Sequence, residues 1–318
     1  MMDVGFIGGF GRSGSTLLER VIAELPGVCA LGEVLHLWQR GVRDNELCAC
    51  GQHFHECPFW RMVGEEAFGG WGNVDVDVVT RMHDRVDRTR FIPADLVSGK
   101  LSARHAQSRA YAEYFARVYA AAAKVSGAQI VVDSSKNAST AYALRAHDDV
   151  ALRVLHVIRD SRGVAYSWTK KIMRPGASES GDHLWMQQYP PWASALLWNA
   201  QNLAFEALGR TGVPVHRVFY ERFLAAPRES LAAIAEFLGI DFGDSAGFLD
   251  DRTVRLGSTH QVNGNPMRFR TGEMQLRADE AWRVEFPKRR SRLVTALTAP
   301  VMLRYGYGLS TRADRAVR

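Results

Sequence analysis

The chain has 318 residues, 47% of them hydrophobic and 23% charged, with a net charge of +6 and an isoelectric point of about 9.3. This composition is that of an ordinary globular protein, no stretch is apolar enough for a membrane-spanning helix, and an apolar strand that begins at Val4 leaves no room for a signal peptide. Four cysteines argue against a disulfide scaffold and favour a reducing compartment, so we expect a cytoplasmic protein.

Short apolar runs alternate with helical patterns along most of the chain. Strands are predicted at residues 4–10, 28–31, 129–132, 152–158 and 215–220, and helices follow the first, the fourth and the last of them. Apolar strands that alternate with helices predict a parallel sheet covered on both faces. The expected fold is therefore α/β, with three layers around a central parallel sheet.

Two long stretches interrupt this alternation. Residues 61–125 form a mostly helical insertion, in which Tyr111, Tyr114, Phe115 and Val118 make one apolar helix face. Residues 173–192 have no periodicity and are rich in Gly, Pro, Ser and aromatic residues, which is typical of a lid or an acceptor-binding loop. No repeat or linker is visible, so residues 1–318 are expected to form one domain with insertions.

Polar clusters follow each predicted strand. They are GFGRSGST at 9–16, Gly-Glu at 32–33, DSSK at 133–136, RDSRG at 159–163 and YERF at 220–223. Parallel sheets bind ligands beyond the carboxyl ends of their strands, so these clusters are expected to surround one site.

The first cluster is similar to a phosphate-binding P-loop without its lysine. The pattern G-x-x-x-x-G-K-[ST] requires a lysine where Ser15 stands, and Arg12 supplies the cation instead. A glycine-rich turn before a helix N-terminus binds anions through backbone N–H groups. We expect the anion to contact Gly11, Arg12, Ser13, Gly14, Ser15 and Thr16, the alternative being a glycine turn with no phosphate partner.

A second cluster can hold a separate phosphate. Arg159 ends a predicted strand and Ser167 follows eight residues later, although taken alone Arg159 is better explained as a helix-capping arginine. Taken with the first loop, this pair resembles the donor-binding signature of sulfotransferases that use 3′-phosphoadenosine 5′-phosphosulfate (PAPS). In that family the first loop holds the 5′-phosphosulfate and the second segment holds the 3′-phosphate.

The resemblance extends over most of the chain and is strongest to the bacterial carbohydrate-sulfotransferase-like branch. Similar segments stand at 48–60, 133–136, 220–227 and 264–282. The family match implies that Tyr220 lies near the adenine, with Ser258 and Thr259 beside it, and that Arg268 and Arg270 close over the 3′-phosphate. Many animal members have an adenine-stacking tryptophan where Leu17 stands here. Another residue, for example Trp282, is therefore expected to pack against the adenine.

The expected reaction is in-line sulfuryl transfer to a hydroxyl group, with PAPS as co-substrate, PAP (adenosine 3′,5′-diphosphate) as product and no metal. Arg12 and Lys136 are the candidates for stabilising developing charge. Glu33 is the candidate base, because related bacterial members place a catalytic glutamate in a similar Gly-Glu segment, and His36 is the reserve.

Cys48, Cys50 and Cys57 stand close together, with His53 and His55 between them. Three sulfurs and an imidazole are suitable zinc ligands. The spacing C-x-C-x6-C is not that of a standard finger, so the favoured interpretation is a compact loop on the acceptor side without metal.

Two other functional classes remain open. A P-loop small-molecule kinase would bind ATP with magnesium, and a non-catalytic nucleotide-binding protein would not depend on Glu33 or Lys136. The expected partner is a small-molecule, glycan or lipid hydroxyl acceptor, without nucleic acid and with at most peripheral membrane contact. The sequence does not define the acceptor or the oligomeric state.

Overall fold

The computed structural model describes residues 1–97, 99–174, 185–242 and 247–310. In these ranges, five strands form a parallel sheet in the order β2-β3-β1-β4-β5. The strands are β1 (Met2–Gly8), β2 (Val28–Gly32), β3 (Ile130–Lys136), β4 (Val150–Ile158) and β5 (Val215–Phe219). The predicted α/β fold with a central parallel sheet is confirmed.

Helices cover both faces of the sheet. Their bounds are α1 (Ser15–Ile22), α2 (Pro58–Phe68), α3 (Val76–Val86), α4 (Ile92–Val97), α5 (Ala103–Ser126), α6 (Ala138–Leu144), α7 (Ser161–Thr169), α8 (Pro191–Gly209), α9 (Tyr220–Ala225), α10 (Pro227–Leu238), α11 (Trp282–Glu285) and α12 (Lys288–Arg304). Successive strand residues point to opposite faces, so Phe6 packs under α5 and α8 while Ile7 packs under α1 and α10. The sheet thus separates two apolar layers.

The helical insertion between β2 and β3 contains α2 to α5. Tyr111, Phe115 and Val118 of α5 are fully buried and Tyr114 is half-buried, so the predicted apolar face is a packed core face. A short helical segment at Val34–His36 and a π-helix at Leu37–Arg43 link β2 to this insertion.

A second, antiparallel sheet was not predicted from the sequence. It contains β6 (Leu249–Asp250), β7 (Thr253–Leu256) and β8 (Gly272–Gln275). The chain between β7 and β8 passes beside the end of β2: Val262 donates to the Leu31 carbonyl oxygen at 2.8 Å and accepts from the Glu33 N–H at 2.9 Å. This crossing fixes the backbone at Glu33.

The final helix, α12, packs against α7 and α8 through Val294, Thr298, Val301 and Met302, as its apolar positions indicate. In the described part of the chain, no helix combines the length and apolarity needed to cross a bilayer.

Candidate active site

The loop that follows β1 requires glycine at two positions, Gly9 and Gly14. Gly9 has φ 135°, and a Cβ there would lie 2.4 Å from the Val157 carbonyl oxygen. Gly14 has φ 92°, and a Cβ there would lie 2.4 Å from the ring of Tyr220. Helix α1 begins at Ser15, and the backbone N–H groups of its first turn have no partner within the helix. This end of α1 is therefore suitable for binding an anion.

A cleft of about 790 Å³ opens at the carboxyl ends of the parallel strands. It brings together ten of the residues predicted for the site: Gly11, Arg12, Gly14, Ser15, Thr16, Glu33, Lys136, Arg159, Ser167 and Tyr220. They come from five segments, one at the carboxyl end of each parallel strand, so their convergence follows from the parallel sheet rather than from proximity in sequence.

Arg159 is buried at one end of this cleft and joins three segments. Its Nη1 donates to the carbonyl oxygen of Arg12 at 3.1 Å and its Nη2 donates to that of Asp279 at 2.8 Å. The guanidinium lies over the ring of Tyr220, 4.6 Å from the ring centre. Ser167, two residues before the end of α7, lines the same cleft. This end of the cleft therefore presents a fixed cation beside a hydroxyl and an aromatic ring.

Glu33 and Lys136 form an ion pair at another part of the wall, and both side chains are 14% exposed. The Nε2 atom of His36 lies 3.5 Å from the second carboxylate oxygen of Glu33. Burial acts to raise the pKa of Glu33, but Lys136, His36 and Arg40 together lower it to about 2. Burial and Arg40 also lower the pKa of His36 to about 3, so at neutral pH the imidazole is uncharged.

Arg12 extends across the cleft from the β1 loop. Its guanidinium lies 5.2 Å from the ring centre of Trp168, and Nη2 is 3.5 Å from the sulfur of Met186. Burial lowers the pKa of Arg12, with Glu33 acting in the opposite direction. The cleft thus holds the cations Arg12, Lys136 and Arg159 together with the carboxylate of Glu33 and the imidazole of His36.

Residues 6–244 match the sulfotransferase family. The chain belongs to the sulfotransferase family. Two solved structures resemble it over nearly its whole length. The sulfotransferase domain from the Synechococcus PCC 7002 olefin synthase is 18% identical, covers 96% of this chain and 95% of its own, and gives a TM-score of 0.50. The sulfotransferase domain from the curacin biosynthetic pathway is 14% identical, with coverages of 98% and 99% and a TM-score of 0.51. No curated protein matches the chain significantly in sequence.

Four residues that the sulfotransferase resemblance assigned to the donor do not line this cleft. Among the described residues, Ser258, Thr259, Arg268 and Arg270 lie outside its walls. The reason is Arg20 of α1, which donates to the Thr259 hydroxyl at 2.8 Å and to the Arg270 carbonyl oxygen at 2.8 Å and so holds this segment against the helix. Ser258 and the Arg270 side chain are exposed.

Arg268 links two segments of the chain instead of facing the cleft. It is buried, and its guanidinium donates to the carbonyl oxygens of Gly264 at 3.0 Å and Leu47 at 3.2 Å. Burial lowers its pKa to about 10. That Ser258, Thr259, Arg268 and Arg270 contact the sulfuryl donor stays a prediction, and such contacts would require this part of the chain to move towards the cleft.

Ser13 and Trp282 also lie elsewhere than expected. The Ser13 hydroxyl donates to the Phe10 carbonyl oxygen at 2.7 Å, which stabilises the loop itself. Trp282 is buried against α7, where the guanidinium of Arg162 lies 4.9 Å from its ring centre. Trp282 therefore packs against α7 and does not line the cleft.

Trp168 is the aromatic residue that the sequence analysis missed. Its indole N–H donates to the Gly11 carbonyl oxygen at 2.9 Å, and a Cβ on Gly11 would lie 2.7 Å from its ring. Trp168 directly follows Ser167, so its place in the second signature segment was the available signal. Lys170 and Asp279 line the same region and were also missed.

A buried carboxylate supports the two strands that carry the Glu33–Lys136 pair. Glu19 of α1 accepts from the Gly32 N–H at 2.7 Å and from the Ser134 hydroxyl at 2.6 Å. Burial raises the pKa of Glu19 to about 7, against the effects of Ser134 and Lys136. Glu19 therefore holds the ends of β2 and β3 together from below the cleft.

Half of the predicted lid at 173–192 lies outside the described residues, which stop at 174 and resume at 185. The described flanks line the cleft through Arg174, Trp185, Met186 and Gln187. Arg174 also pairs with Glu46, which precedes the helical insertion.

Proposed function

We propose that this protein is a PAPS-dependent sulfotransferase that transfers the sulfuryl group to a hydroxyl of a glycan, glycolipid or natural-product acceptor. The observation that carries the proposal is that one cleft brings together two separate groups of residues suited to bind anions and a buried ion pair of a carboxylate and an ammonium group. The first anion site is the loop before α1, the second is Arg159 with Ser167, and the pair is Glu33 with Lys136. Family membership supports sulfuryl transfer as the reaction class.

The donor is proposed to lie along the cleft with its two anionic groups at the two sites. The 5′-phosphosulfate occupies the N-terminus of α1, where backbone N–H groups, Ser15 and Thr16 face it. The 3′-phosphate occupies the wall with Arg159 and Ser167, and the adenine packs near Tyr220. ATP has no 3′-phosphate, so the second site favours this donor over a nucleoside triphosphate.

The chemistry is an in-line displacement. The acceptor oxygen forms a bond to sulfur while the bond from sulfur to the bridging oxygen breaks, and the electron pair leaves on the phosphate of PAP. Lys136 and Arg12 are proposed to stabilise the negative charge that develops there.

The acceptor proton is proposed to pass to Glu33. While Lys136 is paired with it, Glu33 is a weak base, because the ammonium lowers the pKa of the carboxylate. Attraction of Lys136 towards the phosphosulfate removes this effect, and burial then raises the pKa of Glu33. The base thereby becomes effective when the donor is in place. His36 is the alternative acceptor of the proton.

Calorimetry with the full-length protein tests the donor assignment. We expect PAP to bind tightly and independently of magnesium, and ADP to bind much more weakly because it leaves Arg159 and Ser167 without a phosphate. Preference for ADP in the presence of magnesium would instead favour a kinase.

A transfer assay separates catalysis from simple nucleotide binding. The protein is incubated with PAPS carrying a sulfur-35 label and a panel of hydroxyl acceptors. Glu33→Gln is expected to bind PAP but to transfer label at a rate lower by roughly 10²–10⁴-fold. Transfer by this variant at the wild-type rate would remove Glu33 from the mechanism.

A further inference from the structure

Three cysteines and one histidine meet outside the cleft, between the loop at 48–57 and the segment that follows β7. The sulfurs of Cys48, Cys50 and Cys57 and a ring nitrogen of His260 all lie within 4.8 Å of one another. His260 is 203 residues from Cys57 in the chain, so the fold assembles this cluster from two distant segments.

The distances within the cluster are those of ligands around one tetrahedral metal ion. Zinc–sulfur bonds of 2.3 Å place two sulfurs about 3.8 Å apart, and a nitrogen about 3.5 Å from each sulfur. Here Cys57 Sγ is 3.7 Å from Cys48 Sγ, 3.7 Å from Cys50 Sγ and 3.2 Å from His260 Nδ1, and Cys48 Sγ is 3.8 Å from the same nitrogen. These sulfurs are too far apart for a disulfide, which requires about 2.05 Å.

The surroundings are also those of a metal site. The backbone N–H groups of Cys50, Gln52 and Trp60 act on the sulfurs of Cys48, Cys50 and Cys57 respectively, and in each case they favour the thiolate form. Neighbouring donors of this kind support the ligands of a metal site.

His260 is held in place both at its ring and at its backbone. Its ring stacks on Phe59 with ring centres 5.0 Å apart and an angle of 13°, and its carbonyl oxygen accepts from the Trp60 indole at 2.7 Å. A ligand fixed by its neighbours loses little freedom when it binds metal.

The two histidines between the cysteines have other partners. His53 Nδ1 lies 2.8 Å from the carbonyl oxygen of Asn45, and His55 Nε2 lies 2.9 Å from that of Val42. The structure therefore groups the three cysteines with His260 rather than with His53 or His55, and the spacing in the sequence did not indicate His260.

We propose that Cys48, Cys50, Cys57 and His260 bind one structural zinc ion. Three thiolates and one imidazole fill the four tetrahedral positions, which suits a structural site rather than a catalytic one with an open position. This revises the expectation that the protein holds no metal, and it does not depend on the proposed reaction.

The position of the site indicates what the ion stabilises. Ala49 donates to the Gln261 carbonyl oxygen at 3.0 Å, and the next residue, Val262, hydrogen-bonds the backbone on both sides of Gly32. The zinc would thus link the base of the helical insertion to the segment that fixes Glu33.

Metal analysis of the wild-type full-length protein is the first test. Protein expressed with zinc in the medium and purified without chelators is expected to contain about one zinc per chain. Refolding with Co²⁺ in place of zinc is expected to give the intense visible bands of tetrahedral cobalt, together with thiolate charge-transfer absorption. Iron in place of zinc, absence of bound metal, or a mass two hydrogens lower through a disulfide would each overturn the proposal.

Variants then identify the ligands. Cys50→Ser, at the least buried of the three cysteines, and His260→Ala are expected to lose most of the zinc. The matched controls Cys29→Ser, His53→Ala and His55→Ala are expected to keep it, because these side chains lie outside the cluster. Since the ligand variants can also lower the yield of folded protein, the cobalt spectrum of the wild-type chain tests the geometry independently. Zinc retained by Cys50→Ser and His260→Ala, or lost from the histidine controls, would contradict the ligand set.

Discussion

Two residues proposed to act in catalysis have a backbone conformation that is unusual for residues with a side chain. Arg12 has φ 72° and Lys136 has φ 68°, both in the left-handed region that favours glycine. At Lys136 the strain is maintained by the neighbouring loop, since the Gly9 N–H donates to its carbonyl oxygen at 3.0 Å. Strain of this kind, about 1–3 kcal/mol for each residue, is frequent where a side chain must be aimed at a ligand.

Replacing Lys136 by methionine is expected to slow transfer while leaving donor affinity less affected. Loss of one charge-stabilising donor lowers kcat by roughly 10²–10³-fold in comparable sites. Initial rates with labelled PAPS measure this. Lys124→Met is the control, because Lys124 is an exposed lysine paired with Glu66 on the insertion. An unchanged kcat for Lys136→Met would exclude Lys136 from the reaction.

The Glu33–Lys136 pair also predicts a pH dependence of stability. The pKa of Glu33 is lowered from 4.5 to about 2 in the folded protein, so the stabilisation is present above pH 4.5 and is lost as the pH falls towards 2. The loss amounts to at most about 3 kcal/mol. Urea unfolding between pH 6 and pH 3 measures the first part of this loss, and Glu33→Gln is expected to show a smaller decrease than the wild type.

The matched control for this titration is Glu66→Gln, which removes an exposed carboxylate from a surface pair. Its pH dependence is expected to follow the wild type, because exposed pairs contribute little to stability. Equal decreases for Glu33→Gln and the wild type would contradict the assigned shift in the pKa of Glu33.

At the scale of elements, the β1 loop and the start of α9 are fitted to one another. Gly14 packs directly against the ring of Tyr220, and the same ring supports the guanidinium of Arg159. The two proposed anion sites are therefore mechanically connected through a single aromatic side chain.

Gly14→Ala is expected to weaken PAP binding by about tenfold or more, because the added Cβ displaces Tyr220 and adds strain at positive φ. Gly127→Ala is the control: Gly127 also has positive φ, at the end of α5, but has open space around it. It is expected to lower stability by about 1 kcal/mol without changing PAP affinity. Calorimetry and urea unfolding provide both quantities. Wild-type affinity in Gly14→Ala would show that the two sites are independent.

The sequence predicted those features that local pattern determines. The five parallel strands, the loop before α1 and the signature residues Arg159 and Ser167 each depend on a short apolar run or a short motif. His260 and the sheet of β6 to β8 depend on contacts between distant segments, and two- to four-residue strands carry little periodicity. Trp168 was missed and Trp282 was favoured because the sequence shows only that both residues are aromatic. The packing of the folded chain places Trp168 at the cleft and Trp282 against α7.

At the scale of the whole molecule, the net charge is +6, and the cationic residues Arg12, Arg40, Lys136 and Arg159 line the cleft. Ligand binding to the folded chain alone stabilises it, by about 2.7 kcal/mol when the ligand is present at 100 times its Kd. PAP at that concentration is expected to raise the free energy of unfolding by this amount, and the same concentration of ADP by much less.

Urea unfolding with each nucleotide, without magnesium, measures this difference. Higher salt is expected to reduce the effect of PAP, because its phosphates bind to cationic groups that salt screens. Equal stabilisation by PAP and ADP would contradict the second anion site.

That the 318 residues form a single domain stays a prediction.

The order of the strands has a consequence for how such proteins diversify. β2 and β3, at one side of the sheet, carry Glu33 and Lys136, and the insertion of α2 to α5 leaves the sheet between them; β4 and β5, at the other side, carry Arg159 and Tyr220. On the proposed function, selection can therefore remodel one contiguous segment to suit a new acceptor while the nucleotide half stays unchanged. Gene duplication followed by change in that segment alone would generate a set of enzymes that share one donor and differ in what they modify.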